Sequence, residues 1–192
     1  MVIFNLRVNM SEYQNSIDNR ENIINVIKIS TDDISVYIHR EQTTVTVPLD
    51  KLVEIAKNLK TNDTTKFDMC VDTTAIDWLD KKEKRYEVVY FLYSLTLNHR
   101  VRIKVEIDED KNECPTLSNI WESANWYERE TYDMYGIKFT DHPDMRRYYM
   151  PEDFNDPETG EPLHPLRKDF PLMGIPDSLP LPAYPEKYGE VN

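Results

Sequence analysis

Only four of the 192 residues are glycine. A loop that cradles phosphate needs two or three of them clustered, because backbone amides approach the anion closely only where no Cβ intervenes. No GxGxxG, GxxxxGKS/T or GxSxG run occurs. Cysteine is limited to Cys70 and Cys114, with no CxxC pair. Iron–sulfur clusters take four cysteines and structural zinc takes four Cys or His ligands at short spacing. Two ordinary buried or half-buried thiols are therefore expected. Basic residues are outnumbered, 23 against 35 acidic, for a net charge of -12. That balance excludes a phosphate-neutralising surface, hence nucleic-acid binding, and disfavours docking on anionic lipid. Long apolar runs are missing too. The longest, Val88 to Tyr93, falls far short of the roughly 20 residues a spanning helix needs. The opening residues lack a hydrophobic signal core and are too acidic for a transit peptide. A chain made where it works, or one whose targeting segment has been removed, is expected.

What is present reads as one α+β domain. ISVYIHR (34–40) and TTVTV (43–47) alternate apolar with polar and suit a hairpin. After Pro48, the residues Leu49, Leu52, Val53, Ala56 and Leu59 follow a helical period with one apolar face. Three strand-like runs follow: 67–79, 86–97 after the polar turn KKEK, and 101–107, where VRIKVEI alternates strictly. Short joins predict antiparallel neighbours, and an apolar sheet face needs helices over it, giving two layers. Leu117, Ile120, Trp121, Ala124, Tyr127 and Met134 recur at helical spacing, with a possible break near Asn125 and Gly136 as the cap. Ten of the twelve prolines lie from Pro143 onward. Proline removes a donor and fixes φ, so residues 137–192 are expected as an extended, proline-rich C-terminal arm. Its apolar anchors suit docking on another protein; the alternative is an arm wrapped over its own domain. The boundaries read 1–30 as an N-terminal extension, 31–136 as the core domain and 137–192 as the arm.

Charge clusters mark the candidate functional residues. WYERETYDMYG (126–136) holds Glu128, Arg129, Glu130 and Asp133. Arg129 and Asp133 stand four apart and can pair on a helix. Glu128 and Glu130 stand two apart and point to different sides, so a shared acid/base site is disfavoured, although catalysis by Glu128, Glu130 or His142 stays open as an alternative. HPDMRRYYMPEDF (142–154) holds His142, Arg146 and Arg147, and HPLRKDFPLMG (164–174) holds His164, Arg167, Lys168 and Asp169. Such arginines suit carboxylates at interfaces. Residue chemistry alone thus gives an acidic interaction protein without a visible active site.

The run ERETYDMYGIKFTDHPDMRRYYMPEDF (128–154), followed by HPLRKDFPL (164–172), resembles the signatures of the thirty-kilodalton (NuoC-type) subunit family of NADH:quinone oxidoreductase, respiratory complex I. The strands at 85–107 extend the likeness over most of residues 30–175. The acidic stretch 155–163 departs from it, and the first thirty residues and the tail after Gly174 match nothing diagnostic. The resemblance implies a two-layer domain with a mixed, mainly antiparallel sheet. It also implies a non-catalytic subunit of the peripheral arm, packed against the forty-nine-kilodalton quinone-site subunit. No flavin, iron–sulfur cluster or nicotinamide is expected on this chain. Activity would belong to the complex, which reduces ubiquinone with NADH and translocates protons; related hydrogenase and ferredoxin-driven complexes are the alternative. Composition typical of AT-rich genomes points first to the matrix side of the mitochondrial inner membrane and second to the cytoplasmic face of a bacterial plasma membrane.

Overall fold

The alternation in VRIKVEI decides which way the sheet faces. In the computed structural model, which describes residues 10–171, it lies within β5 (His99–Ile107), where Val101, Ile103, Val105 and Ile107 are buried and Arg102, Lys104 and Glu106 only partly so. β4 (Tyr86–Ser94) runs antiparallel between β5 and β3 (Met69–Asp77). The expected hairpin forms from β1 (Ser35–His39) and β2 (Gln42–Thr46). Its turn residues, Arg40 and Glu41, both take positive φ, 48° and 65°, as a tight two-residue hairpin demands. β2 then lies parallel to β5, with Thr43 opposite Val101. The order β1-β2-β5-β4-β3 is therefore mixed but mainly antiparallel. The shortage of glycine has a local consequence. Asp80, Asn98, Asn112 and Asp141 also hold positive φ, because short polar side chains tolerate the left-handed region better than most.

Helices cover one face. Pro48 precedes a short 3-10 turn, Leu49–Lys51, that runs into α2 (Leu52–Thr61). Leu52, Ile55, Ala56 and Leu59 of α2 bury against Tyr90, Leu92 and Ile103 of the sheet. α1 (Met10–Lys28) sends Ile23, Val26 and Ile27 into the same core. Asn58 of α2 donates to the Ser30 hydroxyl at 2.9 Å just beyond its end. Residues 19–30 are thus part of the domain rather than an extension. Sequence reading missed this because, among the described side chains of the helix, the apolar face is carried by Ile23, Val26 and Ile27 in its last turns.

α3 (Ala124–Tyr135) packs on β3. Thr131 Oγ1 donates to Thr73 O at 3.0 Å, and just ahead of the helix Ser123 Oγ donates to Cys70 O at 2.7 Å. The helical spacing from Leu117 begins earlier than the helix does. Residues 117–121 make an isolated turn closed by Trp121 N to Leu117 O, and Trp121 Nε1 bonds Phe67 O at 2.9 Å. Gly136 ends α3 with φ 76°, as read. The chain then forms β7 (Lys138–Thr140), which pairs in parallel with β6 (Glu113–Pro115).

The arm differs most from expectation. Residues 141–171 fold back along α3 instead of leaving the domain. Their backbone finds partners on their own chain, as a segment rich in prolines and poor in donors must once it is packed. The acidic stretch closes a small loop. Asn155 bridges Pro162, and Asp156 Oδ1 accepts the amides of Glu158 and Thr159 at 2.9 and 2.8 Å. The expectations for the tail after Gly174 lie outside the described residues.

Candidate functional site

The helix end explains why the arm returns. The last carbonyls of an α-helix have no intrahelical partner. In α3 the segment 164–167 supplies them. His164 Nδ1 donates to Asp133 O at 2.9 Å, Leu166 N to Met134 O at 3.1 Å and Arg167 Nε to Tyr135 O at 2.6 Å. Asn112 Nδ2 takes the Gly136 carbonyl at 2.7 Å. A guanidinium at this end also meets the negative pole of the helix. HPLR is thus a distant cap for α3. Burial lowers the pKa of His164, and the neighbouring Arg167 and Arg147 add to that, so the ring is neutral and donates through Nδ1.

Gly136 makes the fit possible. A Cβ there would stand 2.6 Å from the His164 ring, and it would also crowd Arg167. Gly136→Ala is expected to lose about 1–2 kcal/mol from its left-handed conformation alone. Thermal unfolding reads that loss, and proteolysis within 164–171 should accelerate. An unchanged cleavage rate would refute the cap.

Asp133 is the centre of the clasp. Its side chain is fully buried. Oδ2 accepts the amides of Tyr148, Tyr149 and Met150 at 3.1, 2.7 and 2.8 Å, and Oδ1 accepts Arg147 Nη1 at 3.0 Å. Burial would push its carboxyl up, but the three amides and Arg147 outweigh it and hold the group below its ordinary range. Arg147 also donates to the carbonyls of Phe154 and Leu163, which closes the acidic loop. The spacing of Arg129 and Asp133 suggested an intrahelical pair, and the structure does not form it. Arg129 instead bonds the carbonyls of Arg146 and Arg147, both at 3.2 Å. Asp133 prefers three backbone amides that would otherwise be unsatisfied.

A second knot fastens the arm to the sheet. Arg85 binds Asp77 through two bonds of 3.0 Å and reaches Asp169 at 2.8 Å. Lys168 joins only by its backbone amide, to Asp77 Oδ2 at 2.8 Å, and its side chain is exposed. Asp77 and Arg85 were missed in the sequence. The signal was there: β3 turns Ala75 and Asp77 inward together, and an inward charge demands a partner.

Glu128 and His142 form a third group. Glu128 is fully buried; Oε1 accepts Leu117 N at 2.8 Å and Tyr90 OH at 3.1 Å, and Oε2 accepts the Thr116 hydroxyl. Burial pushes its carboxyl up to about 7. His142 Nε2 stands 3.9 Å from Oε2. The ring donates to Asn125 O at 3.2 Å and accepts the Asp144 amide, so it is neutral, in line with a pKa lowered chiefly by burial. Glu130 points elsewhere and is half-exposed, and Arg146 is exposed and pairs with Asp144.

The arrangement is a clasp that ties the segment 141–171 to α3 and the sheet. Apart from Glu130, its carboxylates, imidazoles and guanidinia are occupied by one another, by hydroxyl groups or by backbone. Both thiols are buried and free, and burial pushes Cys70 up to about 12, which leaves it inert. Among the described residues, no group of three His, Cys, Asp or Glu side chains could hold a metal ion. No helix among them is long and apolar enough to cross a membrane.

Known proteins are similar to this chain. The model of the family described as respiratory-chain NADH dehydrogenase, 30 Kd subunit, matches residues 45–176. The NADH-quinone oxidoreductase C subunit of Geobacter sulfurreducens is 41% identical over 153 residues, 80% of this chain and 88% of the relative. A second such C subunit, from Rhizobium meliloti, is 44% identical over 133 residues, 69% of this chain and 68% of that protein. Among solved structures, a trypsin-resistant fragment of Nqo5 superimposes with TM-score 0.57 at 27% identity, covering 66% of this chain and 98% of the fragment. A chain of the membrane-bound sulfane sulfur reductase, an archaeal respiratory membrane complex, gives TM-score 0.62 at 31% identity over 80% of this chain and 86% of its own. The matched span holds both signature runs and the clasp they build, and the chain belongs to the thirty-kilodalton subunit family of respiratory-chain NADH dehydrogenase.

Proposed function

We propose that this chain is a non-catalytic structural subunit in the peripheral arm of a proton-translocating NADH:ubiquinone oxidoreductase. It packs against the forty-nine-kilodalton quinone-site subunit, carries no cofactor of its own and reaches the membrane only through the complex. The observation that carries this reading is the clasp: the family's signature residues are consumed in fixing the shape of α3 and the segment 141–171. Residues used in this way prepare a surface for a neighbour. The two C subunits, from Geobacter sulfurreducens and Rhizobium meliloti, are bacterial, which favours the cytoplasmic face of a plasma membrane over the mitochondrial matrix. The likeness to the sulfane sulfur reductase chain supports a second reading, a homologous subunit of another membrane-bound respiratory, hydrogenase or ferredoxin-driven complex.

Native electrophoresis of detergent-solubilised membranes tests the proposal. The chain should migrate with a large assembly, and the purified chain should oxidise no NADH. Migration solely as a free small protein would sink both readings. Mass spectrometry of the assembly separates them: a NADH-binding flavoprotein among the co-purifying subunits supports the first, a hydrogenase or sulfur-reducing module the second.

A further inference from the structure

Three large aromatic side chains stand together on the outer surface of the clasp. Trp126 is 53% exposed, Tyr148 44% and Tyr149 56%. Trp126 meets Tyr148 edge-on at 5.1 Å, and Tyr148 meets Tyr149 at 4.5 Å. Contiguous exposed aromatics are uncommon on a free surface and mark places where a partner sits. This group is also held rigid. Arg129 lies over both Trp126 and Tyr148, at 4.9 and 5.4 Å, while its own bonds go to backbone carbonyls. The amides of Tyr148 and Tyr149 are anchored on Asp133. Aromatics already fixed in place lose little freedom when a partner arrives.

The charge beside the patch says what kind of partner fits. Glu130 lies one turn along α3 from Trp126, close enough to Tyr149 to raise its phenol and to Asp72 of β3 to have its own carboxyl raised, chiefly by burial and then by Asp72. Among the described residues, neither Glu130 nor Asp72 has a basic partner. Arg129 stacks on the other two rings, and no cation of this chain covers Tyr149 among the described residues. Two unpaired carboxylates beside an open aromatic face ask for a cation from outside. The same carboxylates repel an anionic lipid surface.

We propose that the Trp126–Tyr148–Tyr149 patch docks a basic segment of a neighbouring subunit, one arginine or lysine of which lies over the Tyr149 ring and bonds Glu130. This rests on the reading of the chain as a subunit and names the chemistry of one contact. A photo-reactive phenylalanine analogue at position 149, incorporated in the full chain and irradiated in the purified complex, tests it. The adduct should join Tyr149's position to a peptide of another subunit that carries Arg or Lys at the cross-link. A lipid adduct, a second copy of this chain, a peptide without a basic residue, or no adduct at all would overturn the proposal. Charge reversal gives an independent arm. Glu130→Lys should lower the yield of chain in the large assembly at least about tenfold, the scale of a hot-spot loss, while the melting temperature of the chain alone is unchanged. If Lys disturbs the fold, Glu130→Gln takes its place and should release the chain at lower salt than wild type. Wild-type incorporation with variants equally abundant and equally salt-resistant sinks the patch and leaves the subunit reading standing. A wild-type chain that never enters the assembly sinks both.

Discussion

Asp133→Ala should lower the stability of the chain by about 3–5 kcal/mol, the cost of stripping one partner from a buried ion pair. For a chain of this size that is a fall in melting temperature of roughly 6–20 °C. The residues explain the magnitude. Asp133 has no exposed side-chain surface and Arg147 has 8%. Removing the carboxylate strips the guanidinium of its counter-charge and the amides of Tyr148, Tyr149 and Met150 of their acceptor at once. Arg147→Ala should cost a comparable amount, because it also frees the carbonyls of Phe154 and Leu163. The double variant should lose clearly less than the sum of the two, since the groups share one network. Circular dichroism melts of the four proteins measure this. Additive losses, or a single-variant shift under about 2 °C, would remove Asp133 from the centre of the clasp. The pH sign is fixed as well. The folded group is held below its ordinary value of 3.8, so its contribution is complete above that pH and lost as pH falls through the folded value.

Glu128 behaves in the opposite sense. Its carboxyl rises from an ordinary 4.5 to about 7 in the folded chain, so the folded state holds this proton more tightly than the unfolded one. Its effect on stability is most favourable below pH 4.5, weakens as pH climbs towards 7 and is flat beyond. The swing is on the order of 3 kcal/mol. Glu128→Gln should abolish it. The amide keeps an acceptor for Leu117 N and Tyr90 OH and presents its NH2 to the Thr116 hydroxyl, which makes it a permanent copy of the protonated acid. At about pH 8 the Gln variant should therefore be the more stable protein, and as pH falls to about 4.5 and below the two should converge. His99, His142 and His164, whose pKa values burial lowers, lose stability in the other direction, but they are common to both proteins and cancel in the difference. Denaturant titrations across roughly pH 4.5 to 8 give the comparison. Parallel curves would mean that Glu128 ionises in the folded state as freely as in water.

Much of this was legible in the residues because local periodicity carries it. The hairpin, α2, the alternation of β5 and the Gly136 cap each depend on patterns within about ten residues. The clasp is built largely from residues of the two signature runs, and all the arginines in them were seen. Their targets were not. Arg147 and Arg167 looked free for a neighbour because their partners, Asp133 and the Tyr135 carbonyl, lie 14 and 32 residues away, and a carbonyl freed at a helix end leaves no mark in a sequence. The same distance hid the pairing of Arg85 with Asp169, 84 residues apart. Proline richness argued against a regular helix or central strand, and residues 141–171 form neither, but it says nothing about which surface such a segment lies on. α1 was overlooked for a different reason: Ile23, Val26 and Ile27 on a largely polar stretch resemble a tail until the sheet they cover is known.

The parallel join between β2 and β5 sets an order of events during synthesis. Thr43 pairs with Val101, so the β1–β2 hairpin leaves the ribosome with one edge still waiting for its neighbour. At about 5–20 residues per second, the 58 residues from Thr44 through Val101 take roughly 3–12 seconds to appear. Hairpins close in microseconds, so for that interval a formed ribbon bearing Val36, Tyr37 and Ile38 exists without the strand that completes its sheet. α1 and α2 precede β5 in the chain and can shelter the hairpin's inner face first, while its open edge stays exposed to pairing with another nascent chain until β4 and β5 arrive together.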